Sequence, residues 1–239
     1  IVFAAVISLF FLKLMGNASL NEANVTHTIM SAGAMVAGGL AGAITGVLTT
    51  VFEIPAILAG ILTQISLWSI NLRIMGKSNT PLLANDTIFS DASKLTGLPQ
   101  STVSALMGII IAIVIVAALY WFFGTEIGSA LRATGNNEDM IRALGVNTNR
   151  TKMIALVLSN ALIGLSGALI CQSQKYADIG MGTGAIVIGL AAIVIGEVLG
   201  RLLPGGLTQF SVRLASAVFG SVVYFLIRAI VLQLGMDAN

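Results

Sequence analysis

Polar breaks divide this chain into apolar runs, and their lengths limit what it can fold into. Ile29–Phe52, Ala56–Met75, Thr102–Phe123, Met153–Ile170, Thr183–Leu199 and Leu207–Leu234 are each dominated by apolar residues. A run of roughly 17–25 such residues matches the ~30 Å hydrocarbon core of a bilayer when coiled as a helix. Within hydrocarbon a helix satisfies all of its own backbone polar groups, which an isolated strand or loop cannot do. A further run, Ile1–Met15, is shorter and reads as the remainder of a span. It lacks the basic start and small-residue cleavage site of a signal peptide. The expected fold is an all-α, polytopic transmembrane helical bundle of about seven spans, six complete and one partial. Residues 1–239 are expected to form a single transmembrane domain, truncated at both ends.

Composition agrees and removes several classes of function. Hydrophobic residues make up 56% of the chain and charged residues 9%, a balance no soluble domain shows. A net charge of +2 without a basic block gives nothing to neutralise phosphates, so no nucleic-acid partner is expected. Cys171 is the single cysteine and His27 the single histidine, so no disulfide is possible within the chain and no metal site is expected. No HExxH, CxxC, GxSxG or Walker A pattern occurs. Gly76-Lys77-Ser78 resembles the end of a phosphate loop, but Asn71 stands where that motif requires its first glycine. No catalytic residue is expected, and the chain is read as no enzyme.

Two polar or small-residue faces stand out within the runs. Gly38, Gly42 and Gly46 recur every four residues, a spacing that lets two membrane helices approach closely; the same groove could instead line a path. Gln64, Trp68 and Asn71 share one helical face, which should turn away from lipid, toward protein or a water-filled path. Trp68 and Asn71 also lie close enough to the end of their run to serve as interfacial anchors. The ten carboxylates lie in loops and at span ends. A carrier driven by protons or sodium ordinarily needs an ionisable or unwound site near mid-bilayer. Their placement therefore favours a path powered from outside this chain.

Glu126–Lys152 is a polar island between two apolar runs. It reads as a short helix with Asn136 as N-cap, Glu138 and Asp139 in the first turn and Arg142 in the last. Gly145 sits where a left-handed residue would end it. Met140, Ile141 and Leu144 would form an apolar stripe on a helix too short to cross a bilayer, a pattern that asks for a protein partner. The other long break, Gly76–Ser101, has room for a surface helix around Thr87–Leu95. Basic residues do not orient the chain. Arg132, Arg142, Arg150, Lys152, Arg201 and Arg213 fall on the island's side, and Lys13, Arg73, Lys77, Lys94, Lys175 and Arg228 on the other.

Ala130–Leu169 carries Arg132, Ala133, Gly135, Asn137, Ala143, Gly145, Val146 and Asn147 in an Arg-Ala-x-Gly-x-Asn…Ala-x-Gly-Val-Asn arrangement. It resembles the cytoplasmic loop and following span of bacterial ATP-binding-cassette importer permeases of the branched-chain amino-acid and ribose type. Ile54–Asn79 and the IGEVLGR stretch are similar to a group of these permeases linked to tryptophan or tyrosine uptake. The resemblance implies a multi-pass permease subunit of the bacterial cytoplasmic membrane that moves a small solute by alternating access. An amino acid, possibly aromatic in that group, is the implied solute, with a sugar or nucleoside as the alternative. A stand-alone secondary transporter or channel is the alternative mechanism. The implied partners are ATPase subunits, which would carry ATP and Mg, a second permease subunit as homodimer or heterodimer, an extracytoplasmic substrate-binding protein and membrane lipid. The resemblance makes residues 126–152 the cytoplasmic coupling element, with Arg132, Gly135, Asn137, Glu138, Met140, Ile141, Arg142, Leu144 and Gly145 as coupling residues. Met140, Ile141 and Leu144 would insert into the ATPase, with Glu138 and Arg142 making rim contacts. Residues 76–101 would face outside.

Overall fold

A computed structural model describes residues 23–81, 87–202 and 210–235, with side chains described from Ser31 onward. The expected partial span Ile1–Met15, the side chain of His27 and the Leu203–Gly206 break lie outside the described residues. Among the described residues, six helices are long and apolar enough to cross a membrane. They are α1 (Ala23–Thr50), α2 (Ala56–Met75), α4 (Gln100–Gly124), α7 (Thr148–Gln174), α8 (Ala185–Leu202) and α9 (Phe210–Gln233). These match the six complete spans expected from the sequence.

Shorter elements fill the breaks. α3 (Ile88–Thr96) is the expected surface helix. Thr87 caps its start by accepting from the Ser90 N–H at 3.2 Å, and Gly97 ends it in the left-handed region at φ 67°. A two-stranded antiparallel ribbon was not expected. β1 (Asn79–Pro81) pairs with β2 (Tyr176–Asp178), with Thr80 opposite Ala177. Segments this short, and this far apart in sequence, carry no hairpin signal. The island holds α5 (Glu126–Asn136) and α6 (Glu138–Ala143).

The described residues divide into two compact units. In the larger, α1 packs along α7 at backbone distance. A Cβ on Gly38 would strike the Asn160 carbonyl and approach the Gly164 Cα, and one on Gly42 would strike the Leu156 carbonyl. A Cβ on Gly164 would in turn meet the Ala34 carbonyl. Gly164 and Gly167 are both buried along α7. Hydrogen bonds tie the helices where side chains intervene. Gln172 Nε2 donates to Ser31 Oγ at 3.1 Å, joining α7 to α1, and Thr45 Oγ1 donates to Thr63 Oγ1 at 2.9 Å, joining α1 to α2. Such interhelical bonds stabilise membrane bundles by about 0.6 kcal/mol each on average, so close backbone packing does most of the work. The smaller unit is chiefly the α8–α9 pair, built the same way. A Cβ on Gly220 would strike the Ala192 carbonyl and the Gly196 backbone, and one on Gly196 the Ser216 carbonyl.

Each membrane helix of the larger unit crosses once. The α1–α2 turn and the island therefore share one side, while α3 and the β1–β2 ribbon share the other. Gly38→Val or Gly164→Val should force α1 from α7, an overpacking cost of roughly 1–3 kcal/mol. The expected result is a fall of several degrees in the melting temperature of the detergent-solubilised protein. Gly108→Ala on α4, where a Cβ would meet nothing, should leave it unchanged or raise it.

Candidate functional site: the polar island and the α1–α2 turn

The island is a folded-back pair of helices that runs directly into a membrane span. Thr125 both ends α4 and caps α5, accepting from the Gly128 N–H at 3.3 Å. Gly128 is required there, since a Cβ would strike the Phe122 carbonyl and the Phe123 backbone. Asn137 breaks α5 from α6 with an extended backbone, φ −154°. Its side chain accepts from the Met140 N–H at 3.0 Å. Asn137, not Asn136, is thus the N-cap: Asn136 is still helical, in the last turn of α5, whereas a cap must leave helical geometry. Glu138, Asp139 and Arg142 lie where expected, at the negative and positive ends appropriate to the helix dipole.

Gly145 ends α6 at φ 86°. Its N–H donates to the Arg142 carbonyl at 3.0 Å and the Val146 N–H donates to the Ile141 carbonyl at 3.2 Å. This paired closure satisfies the last carbonyls and needs a left-handed residue. Asn147 then caps α7, accepting from the Arg150 N–H at 3.2 Å. The expected island ended at Lys152, but its last five residues already belong to the spanning helix α7. Only the four residues 144–147 separate α6 from the span.

A polar clamp fixes α6 against the start of α7. Arg142 donates through Nη2 to Glu138 Oε1 at 3.0 Å and to Thr148 Oγ1 at 3.0 Å. Lys152 Nζ meets the other carboxylate oxygen of Glu138 at 2.6 Å. Thr148 is 2% exposed. Thr134 on α5 lies 3.2 Å from Thr151 on α7, oxygen to oxygen. The Lys152 hydrogen bond, followed by that of Thr148 and the charges of Lys152 and Arg142, holds the Glu138 carboxyl below its usual range. Glu138 and Arg142 are paired by their i,i+4 spacing on one helix, but Thr148 and Lys152 have no local relation to Glu138 and only folding brings them there.

The predicted three-residue stripe is split. Met140 is 52% exposed and Leu144 71%, but Ile141 is 6% exposed and turned into the chain's own packing. Spacings of three and four place residues within one broad arc, yet Met140 and Ile141, as neighbours, stand ~100° apart on a helix of 3.6 residues per turn. Arg132 and Gly135 lie on the exposed side of α5. Glu138 and Arg142, expected as rim contacts for a partner, also pair with one another within the island.

The expected path-lining residues do not stay together. Gly38, Gly42 and Gly46 face α7, so the packing alternative holds for them and that groove is filled by a helix. Gln64 and Trp68 are exposed, whereas Asn71 is 2% exposed. The buried face of α2 is Ala59, Thr63 and Asn71. That stripe advances ~40° with every four residues and takes in Asn71 at its edge while leaving Gln64 and Trp68 outside.

Residues 1–238 match the profile of the family described as branched-chain amino acid transport system, permease component. The chain belongs to this permease family. It is 36% identical over 201 residues to the tyrosine transport system permease protein of Clostridioides difficile, covering 84% of this chain and 64% of that protein. It is 32% identical over 206 residues to an uncharacterized protein of Rickettsia prowazekii, covering 85% and 70% respectively. Against the ribose import permease of Escherichia coli K12 it is 30% identical over 193 residues, 79% of this chain and 57% of that one. No solved structure matches. The chain spans less than two thirds of the length of the tyrosine and ribose permeases. Together with the six apolar helices among the described residues, membership makes the chain a multi-pass integral protein of the bacterial inner membrane.

The lowered Glu138 pKa fixes the sign of the clamp's pH dependence. Its contribution is complete above the ordinary carboxylate value of 4.5 and is lost as pH falls through the lower folded value. Amide hydrogen exchange in α6 should be constant from neutral pH down to about 5, once corrected for intrinsic rates, and should rise only below the carboxylate range. Glu138→Gln should show the fast exchange at every pH. In Asn137→Ala, loss of the cap should destabilise α6 by about 1 kcal/mol, seen as faster exchange confined to its first turn.

Proposed function

We propose that this chain is the membrane-spanning permease subunit of an importer driven by partner ATPases, and that the island is its coupling element on the cytoplasmic side. The observation that carries this reading is the polar clamp of Glu138, Arg142, Thr148 and Lys152 that fixes α6 to the start of α7. A short helix clamped to the first turns of a span moves with it as a rigid body, as alternating access requires. Met140 and Leu144 supply the exposed apolar contact for the ATPase, while Glu138, Arg142, Asn137 and Gly145 act by keeping the helix folded and attached. ATP and Mg belong to the ATPase subunits. A second permease subunit completes the path, and a substrate-binding protein docks on the opposite side, where residues 76–101 lie.

The solute we favour is an amino acid, supported by the similarity to the tyrosine permease. The similarity to the ribose permease supports a sugar as the second reading.

Cysteine placed at Met140 or Leu144, in a Cys171→Ala background, should crosslink to the ATPase in membranes with a yield that changes with ATP. Cysteine at Ile141 should not react. Absence of any crosslink with both proteins present would return the chain to the stand-alone transporter reading. Gly145→Val places a β-branched residue in the left-handed region, which β-branched side chains all but avoid. It should abolish substrate-stimulated ATP hydrolysis with insertion intact.

A further inference from the structure

The turn that joins α1 to α2 holds Glu53 in the left-handed region, at φ 54°, where a helix end ordinarily carries glycine. Its carboxylate is exposed and, among the described residues, makes no ion pair or hydrogen bond. Glu53 lines an open cleft of about 940 Å³ between this turn and the α6–α7 junction. The facing wall carries Arg142 and Lys152. Both share the single carboxylate of Glu138, so that wall keeps a net positive charge, reinforced by the N-terminal turn of α7. Ile54, Val146 and Leu156 supply apolar lining. Glu53 pairs with neither cation, although all three side chains line the same open cleft.

Few ligand classes fit that arrangement. An inorganic anion would leave Glu53 unpaired and be repelled by it. A divalent cation would find one carboxylate where several oxygen ligands are needed and two cations opposite. A sugar could hydrogen-bond to either charge but would neutralise neither. A molecule with an ammonium and a carboxylate a few ångströms apart, plus an apolar side chain, meets all three surfaces.

We propose that this cleft binds a free α-amino acid with an apolar or aromatic side chain. Its ammonium sits on Glu53, its carboxylate on Lys152, Arg142 and the first turn of α7, and its side chain against Ile54, Val146 and Leu156. Under the importer reading the cleft opens where solute is delivered, so bound product opposes further transport. That consequence rests on the importer reading, whereas binding itself does not.

The test is equilibrium binding of L-tyrosine and L-leucine to the full chain in lipid nanodiscs without ATPase. Tyramine and 3-(4-hydroxyphenyl)propionate serve as analogues that each lack one charge. Glu53→Gln should weaken amino-acid binding about tenfold or more, and each analogue should bind weaker than tyrosine by a similar factor, the scale of one charge-assisted hydrogen bond. Glu53→Gly should lose binding equally while raising the melting temperature, because glycine relieves the left-handed backbone; this separates loss of the site from loss of fold. Unchanged affinity in both variants, or no binding of either amino acid to the unaltered chain, overturns the proposal. The crosslinks at Met140 and Leu144 do not involve Glu53 and report on the importer reading separately.

Discussion

The architecture depends on how closely two helix backbones can approach where no hydrophobic effect drives them together. Lipid is as apolar as a leucine side chain, so membrane helices associate through close packing and a few polar contacts. Here α1 and α7 meet where Gly38 and Gly42 face Asn160, Gly164 and the Leu156 carbonyl, with no room for a Cβ. The α8–α9 pair repeats the device at Gly196 and Gly220. Much of the remaining apolar surface is exposed in this chain by itself: α4 is almost entirely so, including Ile109, Ile110, Ile113 and Val114.

That seam has a consequence for the polar island. α7 is the helix held most closely in the larger unit, and it is also the helix onto which α6 is clamped. Glu138, Arg142, Thr148 and Lys152 make the junction polar and specific, while Asn137 and Gly145 close the two ends of α6. Met140 and Leu144 are thereby joined to α7 and, through the glycine seam, to α1. The α1–α2 turn, with its left-handed Glu53, sits at the end of α1 on the same side. The cleft between turn and island therefore lies between elements that the seam joins.

Much of this was legible in the chain. Run lengths gave six spans within a few residues of the observed helices, because a bilayer imposes a length and an internal hydrogen-bonding rule that few sequences can satisfy otherwise. Capping chemistry is also local: Thr87, Gly97, Arg142 and Gly145 behave as their types and positions predict. The N-cap was misplaced by one residue, at Asn136 rather than Asn137, since two adjacent asparagines offer the same side chain and only the backbone break between α5 and α6 selects one. The β1–β2 ribbon had no signal, being three residues long on each side and joined by segments remote in sequence.

Sequence alone therefore determined the class of structure, the number of complete spans and the position of the island, all of which follow from composition, run length and short-range spacing, while the family came from the resemblance carried by Ala130–Leu169. Tertiary structure decided which faces point where. It turned Ile141 inward and left Met140 and Leu144 exposed, and it buried Asn71 but not Gln64 or Trp68. It also filled the Gly38–Gly46 groove with α7 and brought Lys152 to Glu138 and Glu53 to the cleft. Helical periodicity groups residues into arcs, but whether an arc meets lipid, water or another helix depends on partners that lie a hundred residues away and are brought near only by packing.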